Sequence, residues 1–189
     1  MHTRRVASWL LGAWMSGSLL MFLVATQNFR AVDRLLTAPA EPASKLIQSL
    51  GPDGARLLLR YHSSELNRWY FTKWEIAQAA LLSFLAGWCY RALSHSRVAR
   101  FLPVAILVLV LLERFLLTPE IVRLGRLIDF APAAPERAQF WRLHGAYSAV
   151  EALKLLLGVV LTAALLRKTK RSSGQVHLVD EADHRHVNR

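Results

Sequence analysis

The sequence predicts an all-α fold, a polytopic membrane protein built as a four-transmembrane-helix bundle with short amphipathic extramembrane helices. Three observations carry that expectation. Of 189 residues, 53% are hydrophobic and the mean hydropathy is positive, more apolar than a soluble domain of this size needs. Four apolar runs approach or reach the roughly 20 residues that cross a bilayer as a helix. Lys and Arg gather at the ends of these runs rather than along one polar face, as topology signals do. That placement also disposes of the partner that a net charge of +11 would otherwise point to: the basic residues do not form a phosphate-reading surface, and no nucleic-acid partner is expected.

The first span is expected over 6–29, behind the basic Arg4 and Arg5. A signal peptide begins in the same way, but its apolar core is shorter and a small-residue cleavage site follows it; 23–27 offers a poor one, which favours an uncleaved span. Gly12 with Ser16 and Ala13 with Gly17 give two overlapping small-xxx-small spacings that let a helix approach closely. Ordinary packing within the chain accounts for them. The segment 30–68, with Pro39, Pro42 and the turn signal Gly51-Pro52-Asp53-Gly54, is expected outside the membrane. Within it, 56–66 has the pattern of a short amphipathic surface helix.

The second span is expected over 72–92, bracketed by Trp69, Tyr70, Phe71 and Trp74 at one end and Trp88 and Tyr90 at the other. Its lone Cys89 excludes an intrachain disulfide and a cysteine zinc cluster, and reads as a structural thiol. A short loop with Arg91, Arg97 and Arg100 leads to the third span, 101–118, which has Pro103 in its first expected turn. Thr118-Pro119-Glu120 either caps a new helix or kinks a continuing one, and 119–130 has the apolar spacing of an interfacial helix. The fourth span, 144–166, is stopped by Arg167, Lys168, Lys170 and Arg171. The membrane domain then covers 1–171, and 172–189 reads as a disordered cytoplasmic tail. His177, His184 and His186 in that tail lack further ligands at defined spacing and do not make a metal site.

The amino terminus, the 91–100 loop and the 167–171 cluster are basic without acids, whereas the other loops mix signs. Both termini are therefore expected inside, in the cytoplasmic membrane of a bacterium. The expected surroundings are the lipid bilayer and, beyond it, a second copy or other membrane subunits.

This topology sets several ionisable residues at one depth: Glu75 on span two, Glu113 and Arg114 on span three, and His144, Glu151 and Lys154 on span four. Along span four, His144, Ser148, Glu151 and Lys154 follow a 4-3-3 rhythm and are expected to face the interior. Two readings stand. The charges fasten helices in register, or they line a polar cavity for an ion, proton or small polar ligand with His144 at its entrance. In the second case the chain is a small transporter or an ion- or metal-handling protein. Haem would need a second buried histidine, and His62 and His95 lie outside the spans. No nucleophile with a base, no phosphate-cradling glycine loop and no metal-protease spacing is present, so neither an enzyme nor a cofactor is expected.

Leu117-Thr118-Pro119-Glu120-Ile121, Phe140-Trp141-Arg142-Leu143-His144-Gly145 and Leu155-Leu156-Leu157-Gly158, with the opening Trp9-Leu10-Leu11-Gly12 and Asn28-Phe29-Arg30, resemble a small four-helix membrane family. It is the bacterial domain of unknown function related to eukaryotic transmembrane protein 205. The resemblance covers 6–167 and implies a four-span bundle with no established reaction. The 37–64 insertion and the Glu151 and Lys154 pair depart from the family's pattern.

Overall fold

The structure, a computed structural model, describes residues 2–93, 96–131 and 133–186, with side chains over 4–93, 96–131 and 133–166. In chain order it holds α1 (His2–Thr37), α2 (Glu41–Leu50), α3 (Pro52–Ala92), α4 (Arg97–Leu112), a π-turn (Glu113–Leu117), α5 (Thr118–Asp129) and α6 (Glu136–His186). Among the described residues every element is helical, as the apolar runs predict. Three stretches, Arg4–Thr37, Arg97–Asp129 and Glu136–Leu166, are long and apolar enough to cross a membrane. The second half of α3 is also apolar, but Lys73, Glu75 and Arg91 flank or enter it, and on length and composition it does not join those three.

The long helices pack through one repeating rule. Buried positions fall at alternating three- and four-residue steps: Ala7, Leu11, Trp14 and Ser18 on α1; Glu75, Gln78, Leu82, Leu85 and Cys89 on α3; Ala99, Pro103, Ile106, Val110 and Glu113 through α4. On α6 the same rhythm gives Tyr147, Lys154, Gly158, Leu161 and Leu165. Such seams bring helices together at the shallow crossing angles of left-handed bundles. The outward faces are as apolar as the seams, with Leu19, Leu20, Phe22, Phe84, Phe101, Phe115, Leu116, Leu156 and Val160 exposed. Large apolar side chains outside and carboxylates inside are what lipid, not water, selects as the surrounding solvent.

Several boundaries differ from the sequence expectation. The 56–66 segment is not a separate surface helix; it is the first half of α3 and runs unbroken into the apolar half. After Pro52 nothing up to Ala92 breaks the helix with proline, and α1 holds it: Asn28 Nδ2 donates to Asn67 Oδ1 at 2.6 Å, Asn67 Nδ2 to the Ala25 carbonyl at 3.2 Å, and Ser63 Oγ to the Asn28 carbonyl at 3.4 Å. For the same reason α1 continues past 29 to Thr37, burying Val32. The turn signal acts at Gly51, whose φ of 73° joins α2 to α3. α4 begins at Arg97, capped by Ser96 Oγ, which accepts from Ala99 N at 3.4 Å. Pro103 therefore sits inside the helix rather than in its first turn, buried on the seam. α6 continues to His186 where a disordered tail is expected from Ser172; with no proline in 172–186, extending an existing helix avoids the nucleation cost. The side chains of Arg167, Lys168, Lys170, Arg171, His177, His184 and His186 lie outside the described residues, as does His95.

Candidate functional site: a buried ion-pair network beside a cavity

The site starts from an irregularity. Between α4 and α5 the chain makes one π-turn, and the Thr118 amide donates to the Glu113 carbonyl five residues back. Pro119, with no amide hydrogen, directly follows it. The turn has a geometric effect. At about 100° per residue, an α-helix would point residues 113 and 118 roughly 140° apart, but here both Glu113 and Thr118 are buried on the inner face. One extra residue per turn brings the carboxylate and the hydroxyl to the same wall. Of the two expectations for Thr118-Pro119-Glu120, a cap is not what forms: no side chain caps α5, and the chain continues from α4 through the irregular turn.

Lys154 on α6 stands opposite, fully buried. Its ammonium has three hydrogens and donates to three acceptors: Glu113 Oε2, Glu151 Oε1 at 2.9 Å and Gln78 Oε1 at 3.3 Å. The Gln78 oxygen also accepts from Trp14 Nε1 at 3.0 Å. One ammonium therefore joins α3, the π-turn and α6, and Gln78 extends the connection to α1.

Glu75, one turn from Gln78 on α3, forms a second centre. Its Oε1 accepts from Thr118 Oγ1 and lies 3.5 Å from the Tyr147 hydroxyl; its Oε2 faces Arg114 Nη1 at 3.6 Å. The same Tyr147 hydroxyl is 3.4 Å from Glu151 Oε1. A phenol has one proton, so it can serve one of the two carboxylates at a time and links both centres. Taken together, Glu75, Glu113 and Glu151 face Arg114 and Lys154: three acids against two bases, a formal charge of −1 if all are ionised.

Beside this network lies a cavity of about 720 Å³ between α1, α3, α5 and α6. Glu75, Thr118, Tyr147 and Glu151 line it, whereas Lys154 and Glu113 sit behind its wall. His144 and Ser148 line it too, but from the exposed side of α6. His144 stacks on Phe140 with ring centroids 5.7 Å apart, and Ser148 Oγ turns back to the His144 carbonyl at 2.9 Å.

Of the residues expected in the cluster, then, Glu75, Glu113, Arg114, Glu151 and Lys154 are brought together, while His144 and Ser148 stand apart. Helix geometry gives the reason. Relative to Lys154, His144 points about 80° away and Ser148 about 120° away, but Tyr147 only about 20°. The inward stripe is Tyr147, Glu151 and Lys154. Lys73 is also outside the network, its Nζ 5.9 Å from the Trp69 ring centroid. Tyr147, Thr118, Gln78 and Trp14 were missed because neutral polar groups give no charge signal in an apolar run. Tyr147 could have been found by rotating the helical wheel about Lys154. Among the described residues, no three His, Cys, Asp or Glu side chains converge as metal ligands would, and His62 is exposed on α3.

A second, outer polar layer ties α3 to α5. Glu65 accepts from Arg68 at 2.6 Å and, with both oxygens, from Arg126 at 2.9 and 3.1 Å, while Arg68 also reaches Asp129 at 2.8 Å. The hydrogen bond from Arg126 holds the Glu65 carboxyl below its ordinary value, against the opposing effect of partial burial.

Three apolar helices and a charged interior define a helical membrane protein. No family model, curated protein or solved structure matches the chain.

Proposed function

We propose that this chain is a non-enzymatic, multi-pass protein of the bacterial cytoplasmic membrane, crossing four times with both termini inside, whose buried network fastens the bundle. The observation that carries the fastening role is the Lys154 ammonium, which engages acceptors on α3, α6 and the π-turn at one buried point. α3 supplies the fourth crossing: its apolar half packs on α1 and α4, Glu75 faces inward to the network, and Lys73 and Arg91 stand exposed towards its two ends. A bundle of this form agrees with the four-span family that the sequence resembles. The rescue experiment tests the role. Lys154→Met is expected to lower folded yield, and Lys154→Met with Glu113→Gln to restore it; full yield in the single variant refutes fastening. A carboxy-terminal tag labelled from outside intact cells refutes the orientation.

A second reading, a small carrier or ion-handling protein, is favoured by one observation. Glu151 belongs to the network and also lines the cavity with its side chain partly exposed, so one interior acid is within reach of a guest.

A further inference from the structure

The cavity has a direction and one unanswered charge. α1 and α6 meet where Gly158 lies against Trp14 and Met15, and from there the cavity runs between them towards Arg30, over a floor that includes Phe71, Ile121 and Val122. Leu19 and Phe22 on one lip and Ser148 and Ala152 on the other are exposed, so it opens sideways between the two helices. From Ser18 to Arg30 the α1 axis rises about 18 Å, against roughly 15 Å for half of a bilayer's hydrocarbon core. The cavity is thus as deep as one leaflet, with Arg30 at headgroup level. Polar side chains along it bond within the protein: Thr26 Oγ1 donates to the Phe22 carbonyl at 2.9 Å, Ser148 Oγ to the His144 carbonyl at 2.9 Å and Asn67 Nδ2 to the Ala25 carbonyl at 3.2 Å. Charged ones are paired as well, Asp33 with Arg56 at 3.5 Å, Arg68 with Glu65 and Asp129, Glu151 with Lys154, and Glu75, its side chain sealed, with Arg114. Among the described residues, Arg30 is the one charged lining residue without an acid. Arg60, its guanidinium 5.9 Å from the ring centroid of the adjacent Phe29, has no acid either.

We propose that this cavity seats one anionic phospholipid of the surrounding bilayer, its phosphate on Arg30 and one acyl chain along the groove, with Arg60 adding a second positive charge beside Phe29. A guanidinium's planar fork of donors matches phosphate oxygens, and basic pockets between membrane helices take up anionic headgroups. A zwitterionic head fits less well, because its ammonium needs an acid and Asp33 is already held by Arg56. A hydrocarbon chain asks for no hydrogen bond, and Phe22, Phe71, Ile121, Val122 and Leu155 give it apolar walls. Glu151, partly exposed in the wall, keeps its charge answered by Lys154 at 2.9 Å. The volume of about 720 Å³ lies in the range of pockets that enclose a guest. An apolar helix of a second copy could fill the groove but would leave Arg30 without an anion. The proposal needs the membrane setting and is independent of both fastening and carriage.

The test titrates the full chain in detergent with dioleoyl phosphatidylglycerol and dioleoyl phosphatidylcholine, which share chains and phosphate and differ in net charge, and counts bound lipid by native mass spectrometry. Phosphatidylglycerol is expected to bind at least about fivefold more tightly, the preference that one basic residue at a membrane surface gives. Arg30→Gln should bring the ratio below about twofold and Arg30→Lys should keep it; Arg30 is exposed, so melting should be unaltered in both. A ratio near one in the unaltered chain, or a preference that survives Arg30→Gln, overturns the headgroup site. Placement is read in vesicles that contain phosphatidylglycerol with a diazirine midway along one chain. Labels are expected on Phe71 and Ala152 in the groove in excess of the outward Phe84 and Phe101, and Arg30→Gln should remove that excess alone. Even labelling of all four positions leaves only the general lipid annulus and overturns the site. A mass of two chains without bound lipid gives the groove to a second copy and overturns it too; each of these outcomes leaves fastening standing.

Discussion

Removing the base and removing an acid from the network should not cost the same. With three acids and two bases, Lys154→Met takes the formal charge from −1 to −2 and leaves Glu113, fully buried, with no cationic partner. Breaking a buried ion pair from one side costs about 3–5 kcal/mol. Glu113→Gln moves the charge to zero instead, and Lys154 keeps Glu151 at 2.9 Å and Gln78 at 3.3 Å. The loss is then one ion pair weakened to a hydrogen bond between the ammonium and a neutral amide, about 1 kcal/mol. The difference of about 2–4 kcal/mol is well above the roughly 0.6 kcal/mol of an average interhelical hydrogen bond in a membrane. Reversible unfolding in mixed micelles with increasing dodecyl sulfate, at neutral pH, measures both variants on one scale. Equal destabilisation, or a larger loss for Glu113→Gln, would refute the excess negative charge.

Other outcomes follow from the same geometry. A Cβ at Gly158 would lie 2.9 Å from the Trp14 ring and 3.2 Å from Met15 Sδ, so Gly158→Ala should destabilise by about 1–3 kcal/mol, while Gly12→Ala, with nothing within 4 Å, should stay within about 0.5 kcal/mol; thermal melting of both checks this. Because the Glu65 carboxyl is held low, its contribution to joining α3 and α5 is present above the ordinary glutamate value and lost as pH falls through the lowered one. Spin labels at the exposed positions 62 and 127 should keep one distance at pH 5 and broaden in stronger acid, and the effect should vanish in Arg126→Gln. Cys89 is fully buried and should resist a membrane-permeant maleimide until the bundle is unfolded; rapid labelling of the native protein would contradict the seam of α3.

The helical class and most of the charged network were legible in the sequence, because a charge inside an apolar run is conspicuous and a common depth follows from counting residues. Glu75, Glu113, Arg114, Glu151 and Lys154 were found that way. The π-turn was not, since a search at 3.6 residues per turn has no place for a five-residue step, and Thr118-Pro119-Glu120 was therefore read as either a cap or a kink. His144 and Ser148 were placed inward by a rhythm that drifts around the helix over ten residues. Gly17 lies under the Trp74 ring, the packing within the chain expected of it, while Gly12 and Ser16 face outward. The continuity of α3 was hidden by its mixed composition: its first half is held by hydrogen bonds to α1, which only the fold supplies.

The extra residue in the π-turn also has a bearing on how relatives of this chain could be found. An alignment that keeps α4 in phase will place α5 one position out unless a single-residue gap is opened within 113–117. A search pattern tied to the site rather than to overall similarity would ask for an acid, four intervening residues, then a hydroxyl residue followed by proline, paired with a lysine three residues after an acid on the last helix. Chains that carry the acid and lysine but lack the additional residue would have the acid and the hydroxyl four positions apart, about 40° around an ordinary α-helix, and should keep both on the inner wall without the bulge.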